Sequence, residues 1–192
     1  MSRWVWVIAI TLGTIVFVVL ILYFVSKSMV GKLKPIAQAL GGEVAGNLLK
    51  GSYCLLNRDG VEVQIGIQPG SQYTPPVIYI KELRPGSFKM TLYKENAATR
   101  GLEKLGMLKD LKIGDPLFDE KYVIKSGDEI GAINFLQDPR RREAIEAMFD
   151  DGFHTFQLDK KSVMIQQRGY KKQDLDPERL RINLERLHSL FS

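Results

Sequence analysis

Trp4 to Val25 reads WVWVIAITLGTIVFVVLILYFV, 22 residues without a charge. As an α-helix at about 1.5 Å per residue it spans about 33 Å, enough to cross the hydrocarbon core of a bilayer. The run is apolar on every face, which argues against a core helix with one buried stripe. It is also longer than the apolar core of a secretory signal, and Ser26-Lys27-Ser28-Met29 makes a poor cleavage site. The expectation is an uncleaved anchor over residues 1–28.

The flanks agree with a bilayer. Trp4 and Trp6 stand at one end of the run and Tyr23 at the other, where amphipathic rings favour the head-group level, and Arg3 and Lys27 close it on either side. Lys32 and Lys34 come next. Arg3 lies before the run, and Lys27, Lys32 and Lys34 lie after it; this asymmetry favours a cytoplasmic C-terminal domain. Membrane-flanking roles therefore go to Arg3, Trp4, Trp6, Tyr23, Lys27, Lys32 and Lys34.

The remainder of the chain is the size of one ordinary domain. Residues 29–51 read as a juxtamembrane neck: Pro35 can open a short helix with Ile36, Ala37, Ala39 and Leu40 on its apolar side, and Gly41-Gly42 ends it. Residues 52–192 read as a single α+β domain. Tyr53–Leu56, the turn Asn57-Arg58-Asp59-Gly60, and the alternation of Val61, Val63, Ile65 and Ile67 form a hairpin signature. Val77–Leu83 and Phe88–Tyr93 read as a second pair, giving four consecutive antiparallel strands. Ala97–Leu108 reads as a short helix interrupted by Gly101 and Gly106. Lys121–Lys125 is a further strand, and Phe153–Leu158 with Ser162–Gln167 another hairpin.

Two helices carry explicit start signals. Asp138-Pro139 and Asp176-Pro177 each place a capping carboxylate before a proline in the first helical turn. Leu180, Leu184, Leu187 and Phe191 then make the last helix amphipathic. The expected fold is α+β: an N-terminal transmembrane helix, an antiparallel sheet of about seven strands with short helices, and a C-terminal amphipathic helix. That element order is similar to a pleckstrin-homology-like barrel, by analogy only.

The positions Phe118, Asp119, Tyr122, Val123, Ser126, Asp128, Leu136 and Pro139 set a pattern: a Phe-Asp pair, a Tyr-Val-Ile-x-Ser strand, an Asp and a helix opened by Pro. In this pattern the chain resembles a family of uncharacterised bacterial membrane-anchored domains, over roughly the last 80 residues. It departs from that pattern at Asn134-Phe135, where the family carries Ala-Arg. The resemblance implies an anchored domain with no assigned catalytic residues.

The sequence offers few candidates for chemistry. With 27 basic and 22 acidic residues the chain carries a net charge of +5, but the Lys and Arg are dispersed, so a nucleic-acid partner is not expected. Cys54 is the only cysteine and reads as a buried apolar side chain, with no disulfide and no multi-cysteine metal site. His154 fits a strand position, and His188 the last turn of the C-terminal helix, where a cation complements the dipole. Asp115, Asp119, Glu120, Asp128 and Glu129 lack calcium-loop spacing and read as turn and cap residues. The run Arg140-Arg141-Arg142 at a helix N-terminus is either an anion site or a solvated face with an Arg142–Glu146 pair. No phosphate loop, nucleophile elbow or metalloprotease motif occurs.

No cofactor or metal is expected, and the sequence makes no positive case for an enzyme. The reading is a single-pass membrane protein of the cell membrane, a non-enzymatic binding or scaffold module with the bilayer and a protein as partners. Alternatives are a sensor of anionic lipid head groups and a cryptic hydrolase around the acids of residues 115–128.

Overall fold

The structure, a computed structural model, describes residues 3–47, 51–94 and 110–191. An unbroken helix, α1 (Arg3–Leu40), leads into five strands: β1 (Glu43–Asn47), β2 (Gly51–Arg58), β3 (Val61–Gln68), β4 (Val77–Leu83) and β5 (Met90–Lys94). Then come α2 (Pro116–Lys121), β6 (Tyr122–Ser126), α3 (Glu129–Gln137), α4 (Pro139–Asp150), β7 (Thr155–Leu158), β8 (Val163–Arg168) and α5 (Pro177–Ser189). A 3-10 turn, Lys172–Leu175, precedes α5.

The eight strands form one antiparallel sheet in the order β1-β2-β3-β4-β8-β7-β5-β6. Register makes the core visible as a line. Cys54, Ile65, Ile80, Ile165, Phe156, Leu92 and Ile124 lie opposite one another across seven consecutive strands. All seven are fully buried. Period-2 alternation puts these residues on one face, and helices cover it, the two-layer solution of an α+β domain. Leu180, Leu184 and Leu187 of α5 pack into this core, as do Ile145, Met148 and Phe149 of α4.

Local signals act where they were read. Asp59 and Gly60 both take positive φ, 52° and 81°, and the amide of Gly60 donates to Asn57 Oδ1 at 3.1 Å, so β2 and β3 are joined by a two-residue turn whose twist suits a hairpin. Asp138 caps α4 by accepting from the Arg140 amide at 2.9 Å, and Asp176 caps α5 by accepting from the Arg179 amide at 3.2 Å, each with proline following the cap.

The expected α+β architecture is present: a long N-terminal apolar helix, one antiparallel sheet with short helices, and a C-terminal helix. The sheet has eight strands where about seven were expected, and β1 is the one not read; it lies within 29–51, where Val44 is the single strongly β-forming residue and gives little pattern to read. Finer expectations need correction. Pro35 does not open a helix but sits inside α1. Leu33, Ile36 and Ala37 are buried in the domain core, so the segment expected as a neck supplies both a strand and core side chains. The strand expected over Phe88–Tyr93 is β5, Met90–Lys94, and it does not pair with β4. Instead β4 pairs with β8, and β5 lies between β7 and β6. The late β7–β8 hairpin thus fills the gap between β4 and β5. The connection from β4 crosses its tip, with the Gly86 amide donating to Lys160 O at 3.3 Å, and a Cβ on Gly86 would meet Asp159 O at 2.5 Å. With β1 and β6 as the two edges the sheet is open, unlike the barrel of the analogy. The helix expected over Ala97–Leu108 lies outside the described residues.

Candidate functional site

Within α1 the apolar stretch is uncovered: Trp6 and Tyr23 are exposed, as are the side chains between them that the structure describes. A helix long and apolar enough to cross a membrane therefore projects from the domain. Arg3 and Trp4 occupy its first turn, and Lys27, Lys32 and Lys34 are exposed on the side of the domain. Beyond Lys32 the helix becomes one wall of the fold, because Leu33, Ile36 and Ala37 face the sheet.

At this junction lies an open pocket of about 1150 Å³. Its first wall is α1, through Met29, Gly31, Lys32, Pro35 and Ile36; the second is the loop after β3, through Pro69, Gly70 and Pro76; the third is Tyr170 to Asp176. The walls are braced. The Gly169 amide donates to Pro76 O at 2.7 Å, joining the second and third walls. Ser71 and Thr74 are tied by hydroxyl and backbone bonds of 2.7 and 2.8 Å, and a Cβ on Gly70 would meet Pro76 N at 2.7 Å. Lys32 Nζ stands 5.9 Å over the ring of Tyr170, linking the first wall to the third. The lining is mainly apolar, with lysines at Lys32 and Lys172 and one acid, Asp176, whose carboxylate caps α5.

A second concavity, of about 680 Å³, lies on the sheet face opposite the core. Here Lys81, Met164, Gln157, Thr91 and Lys125 form one row across β4, β8, β7, β5 and β6, each directly opposite the next. All five are partly exposed. Lys89 and Ser126 extend the lining, and Lys89 lies 4.0 Å from Asp159. The groove therefore offers three ammonium groups and several hydroxyl and amide groups against one carboxylate.

The arginine run does not converge. Arg142 turns back to donate to Leu136 O at 2.6 Å and Gln137 O at 3.1 Å, satisfying carbonyls at the end of α3, and lies 3.4 Å from Asp115. Arg141 lies over the Phe135 ring at 4.6 Å and near Asp138 at 3.8 Å, while Arg140 is exposed. The expected Arg142–Glu146 pair is not formed: Glu146 instead accepts from Lys121 Nζ at 3.2 Å and from Tyr122 Oη at 3.4 Å. Burial, then the charges of Glu146 and Asp150, push the Tyr122 phenol well above its usual range.

Three of the acids, Asp115, Asp119 and Asp128, are occupied locally. Asp115 accepts from the Phe118 amide, Asp128 from the Gly131 amide, and Asp119 from the amides of Ile113 and Gly114, all at 2.9–3.2 Å. No group of three His, Cys, Asp or Glu side chains is placed to hold a metal ion among the described residues.

Two polar clusters escaped the sequence reading. Arg179 donates to Asp174 O and Gln167 Oε1, both at 2.8 Å, pairs with Asp151 at 3.3 Å and lies over Phe153. It fastens α5 to β8 and to the end of α4. Glu82 is fully buried on β4, with Arg84 and His188 beside it. Its signal was legible: Glu82 falls in phase with Ile78 and Ile80, so an acid occupies a core-facing position.

No family model and no curated protein matches this chain. Its fold is similar to that in the crystal structure of the mycobacterial trehalose monomycolate transport factor A, TtfA, with a TM-score of 0.52 at 14% sequence identity. That likeness covers 82% of this chain and 90% of the other, and at this identity it establishes shared architecture.

Proposed function

We propose that the chain is a single-pass membrane protein whose domain, on the cytoplasmic side, is a non-enzymatic binding module for an acidic segment of a protein partner. The observation that carries this reading is the five-strand row from Lys81 to Lys125, which presents cationic and hydrogen-bonding side chains on the face of the sheet away from its core. Tethering the domain at a bilayer raises its effective concentration there, so modest affinity is sufficient. The similar structure is named as a transport factor, a kind of role that binding without catalysis can serve. Sidedness rests on Lys27, Lys32 and Lys34 after the apolar run against Arg3 before it.

A photo-crosslinking residue at Thr91, within the row, tests the reading in intact membranes against the same residue at Tyr73, which is 87% exposed on the loop between β3 and β4, outside the row. The expected result is a discrete adduct from Thr91 that disappears in the K81E/K125E double variant and is absent from Tyr73. An adduct indifferent to that charge reversal, or none from Thr91, contradicts it.

A further inference from the structure

The pocket beside α1 differs from an ordinary surface cleft in one respect: its wall is the membrane helix. Met29, the first lining residue, lies four positions after Val25, about 6 Å further along the helix axis. If Trp4–Val25 fills the hydrocarbon core, the mouth of the pocket opens at the head-group level. The apolar ligand present there at high concentration is the acyl chain of the lipid itself. The charge pattern agrees, because Lys32 and Lys172 border the pocket and Asp176 is engaged in capping. Pro35 adds a polar feature, since it has no N–H to donate to the Gly31 carbonyl one turn earlier.

We infer that this pocket takes one bilayer phospholipid, an acyl chain lying against Met29, Gly31, Pro35 and Tyr170 and an anionic head group between Lys32 and Lys172. The inference rests on the reading of α1 as a membrane span. It is independent of the partner assigned to the sheet face. The braced walls make the site preformed, so occupancy costs little ordering of the protein. Such a lipid seals the junction between anchor and domain and makes the domain responsive to the lipid composition of its leaflet.

The test uses the full chain in vesicles of phosphatidylcholine and phosphatidylglycerol, with a photoreactive group at the end of a phosphatidylglycerol acyl chain. Labelled peptides are then mapped after carbonate washing. The expected result is label on residues 69–76 and 170–176 as well as on 4–25. A Gly31→Trp variant fills the pocket; a Cβ at Gly31 meets nothing within 4 Å, so the added side chain has room to enter. It is expected to reduce label on those two loops by about tenfold, leaving label on 4–25 unchanged. The K32E/K172E variant provides a second reading, with a loss of preference for phosphatidylglycerol over phosphatidylcholine.

Label confined to 4–25 in a chain that stays with the vesicles overturns the pocket and leaves the anchor standing. A chain that washes off, with no label anywhere, overturns both. Label on the loops in pure lipid but not in native membranes assigns the pocket to a protein segment and likewise overturns the proposal.

Discussion

The carboxylate of Glu82, wholly buried on β4, lies 3.2 Å from Nδ1 of His188 in the last turn of α5. The guanidinium of Arg84 completes the cluster, with Nε 3.4 Å from Glu82 Oε2 and Nη2 3.2 Å from the same imidazole nitrogen. Nδ1 cannot serve both neighbours as a hydrogen-bonding partner at once: with its proton it donates to Glu82, and without it accepts from Arg84. Neither Glu82 Oε2 nor Arg84 Nε has an aligned hydrogen-bond partner, so their contact is an ion pair held by charge and burial. The contacts of Glu82 and Arg84 with His188 tie the end of the C-terminal helix to β4.

Removing the acid should therefore be costly. Glu82→Ala leaves the largely buried Arg84 cation without its buried counter-charge, and the expected loss is about 3 kcal/mol. Asp59, 3.5 Å from the other imidazole nitrogen but 76% exposed, should contribute at most about 0.5 kcal/mol. Guanidinium unfolding of the two alanine variants in detergent measures the difference. Equal effects would show that burial at Glu82 is not what gives the cluster its weight.

His154 makes stability depend on pH. Burial, followed by the nearby charge of Arg168, holds its imidazole below the usual value of 6.5; Lys94 acts the same way, and a backbone bond to Gly152 opposes them. The unfolded chain thus takes up this proton at higher pH than the folded one. Its contribution is fully present above the usual value and is lost as the pH falls through it toward the lowered folded value. The amide of Arg168 donates to His154 Nδ1 at 3.4 Å, which requires that nitrogen to be unprotonated. Between about pH 7.5 and 5.5 the unfolding midpoint should fall more steeply in the native chain than in His154→Gln. Parallel slopes would contradict this.

Cys54 should be inert while the fold is intact. Its thiol is fully buried in the core row, and burial pushes its pKa up to about 11. A Cβ on Gly42 would come within 3.1 Å of the sulfur, so even that side is closed to a bulkier neighbour. Iodoacetamide at about pH 8 should label the guanidinium-unfolded chain and leave the native chain unmodified. Rapid native labelling would mean that the sheet opens at β2.

The arginine run separates into unlike members. Arg142→Ala should destabilise the chain by about 1.5–3 kcal/mol, because two carbonyls at the end of α3 lose a charged donor and Asp115 loses its cationic neighbour. Arg140→Ala, at an exposed position, should change stability by less than about 0.5 kcal/mol. Thermal unfolding of the two variants makes the comparison, and similar losses would sink it.

How much of this was legible depends on the range over which each signal acts. The anchor, the Asn57–Gly60 turn and the Asp138 and Asp176 caps depend on residues adjacent in the chain, and each is visible in the sequence. Strand order is not local. That β4 meets β8 depends on Ile80 facing Ile165, 85 positions away, and no periodicity within either segment encodes it. β1 was missed because it is five residues long, holds Gly46, and is bordered by Gly41 and Gly42, which read as a helix stop. The candidate sites divide the same way. Lys32 and Pro35 are conspicuous as residues, but the pocket exists only where α1 meets loops near 70 and 173. Lys81 and Lys125 become one surface only through the register of five strands.

The central claim is that α1 stays attached and fixes the domain to a bilayer, and alkaline carbonate extraction of native membranes, read by the intact mass of the chain, tests it most directly. The account predicts that the chain remains with the membrane pellet at a mass that includes the apolar run of residues 4–25. Recovery in the supernatant, or a mature chain beginning beyond Ser28, would contradict it.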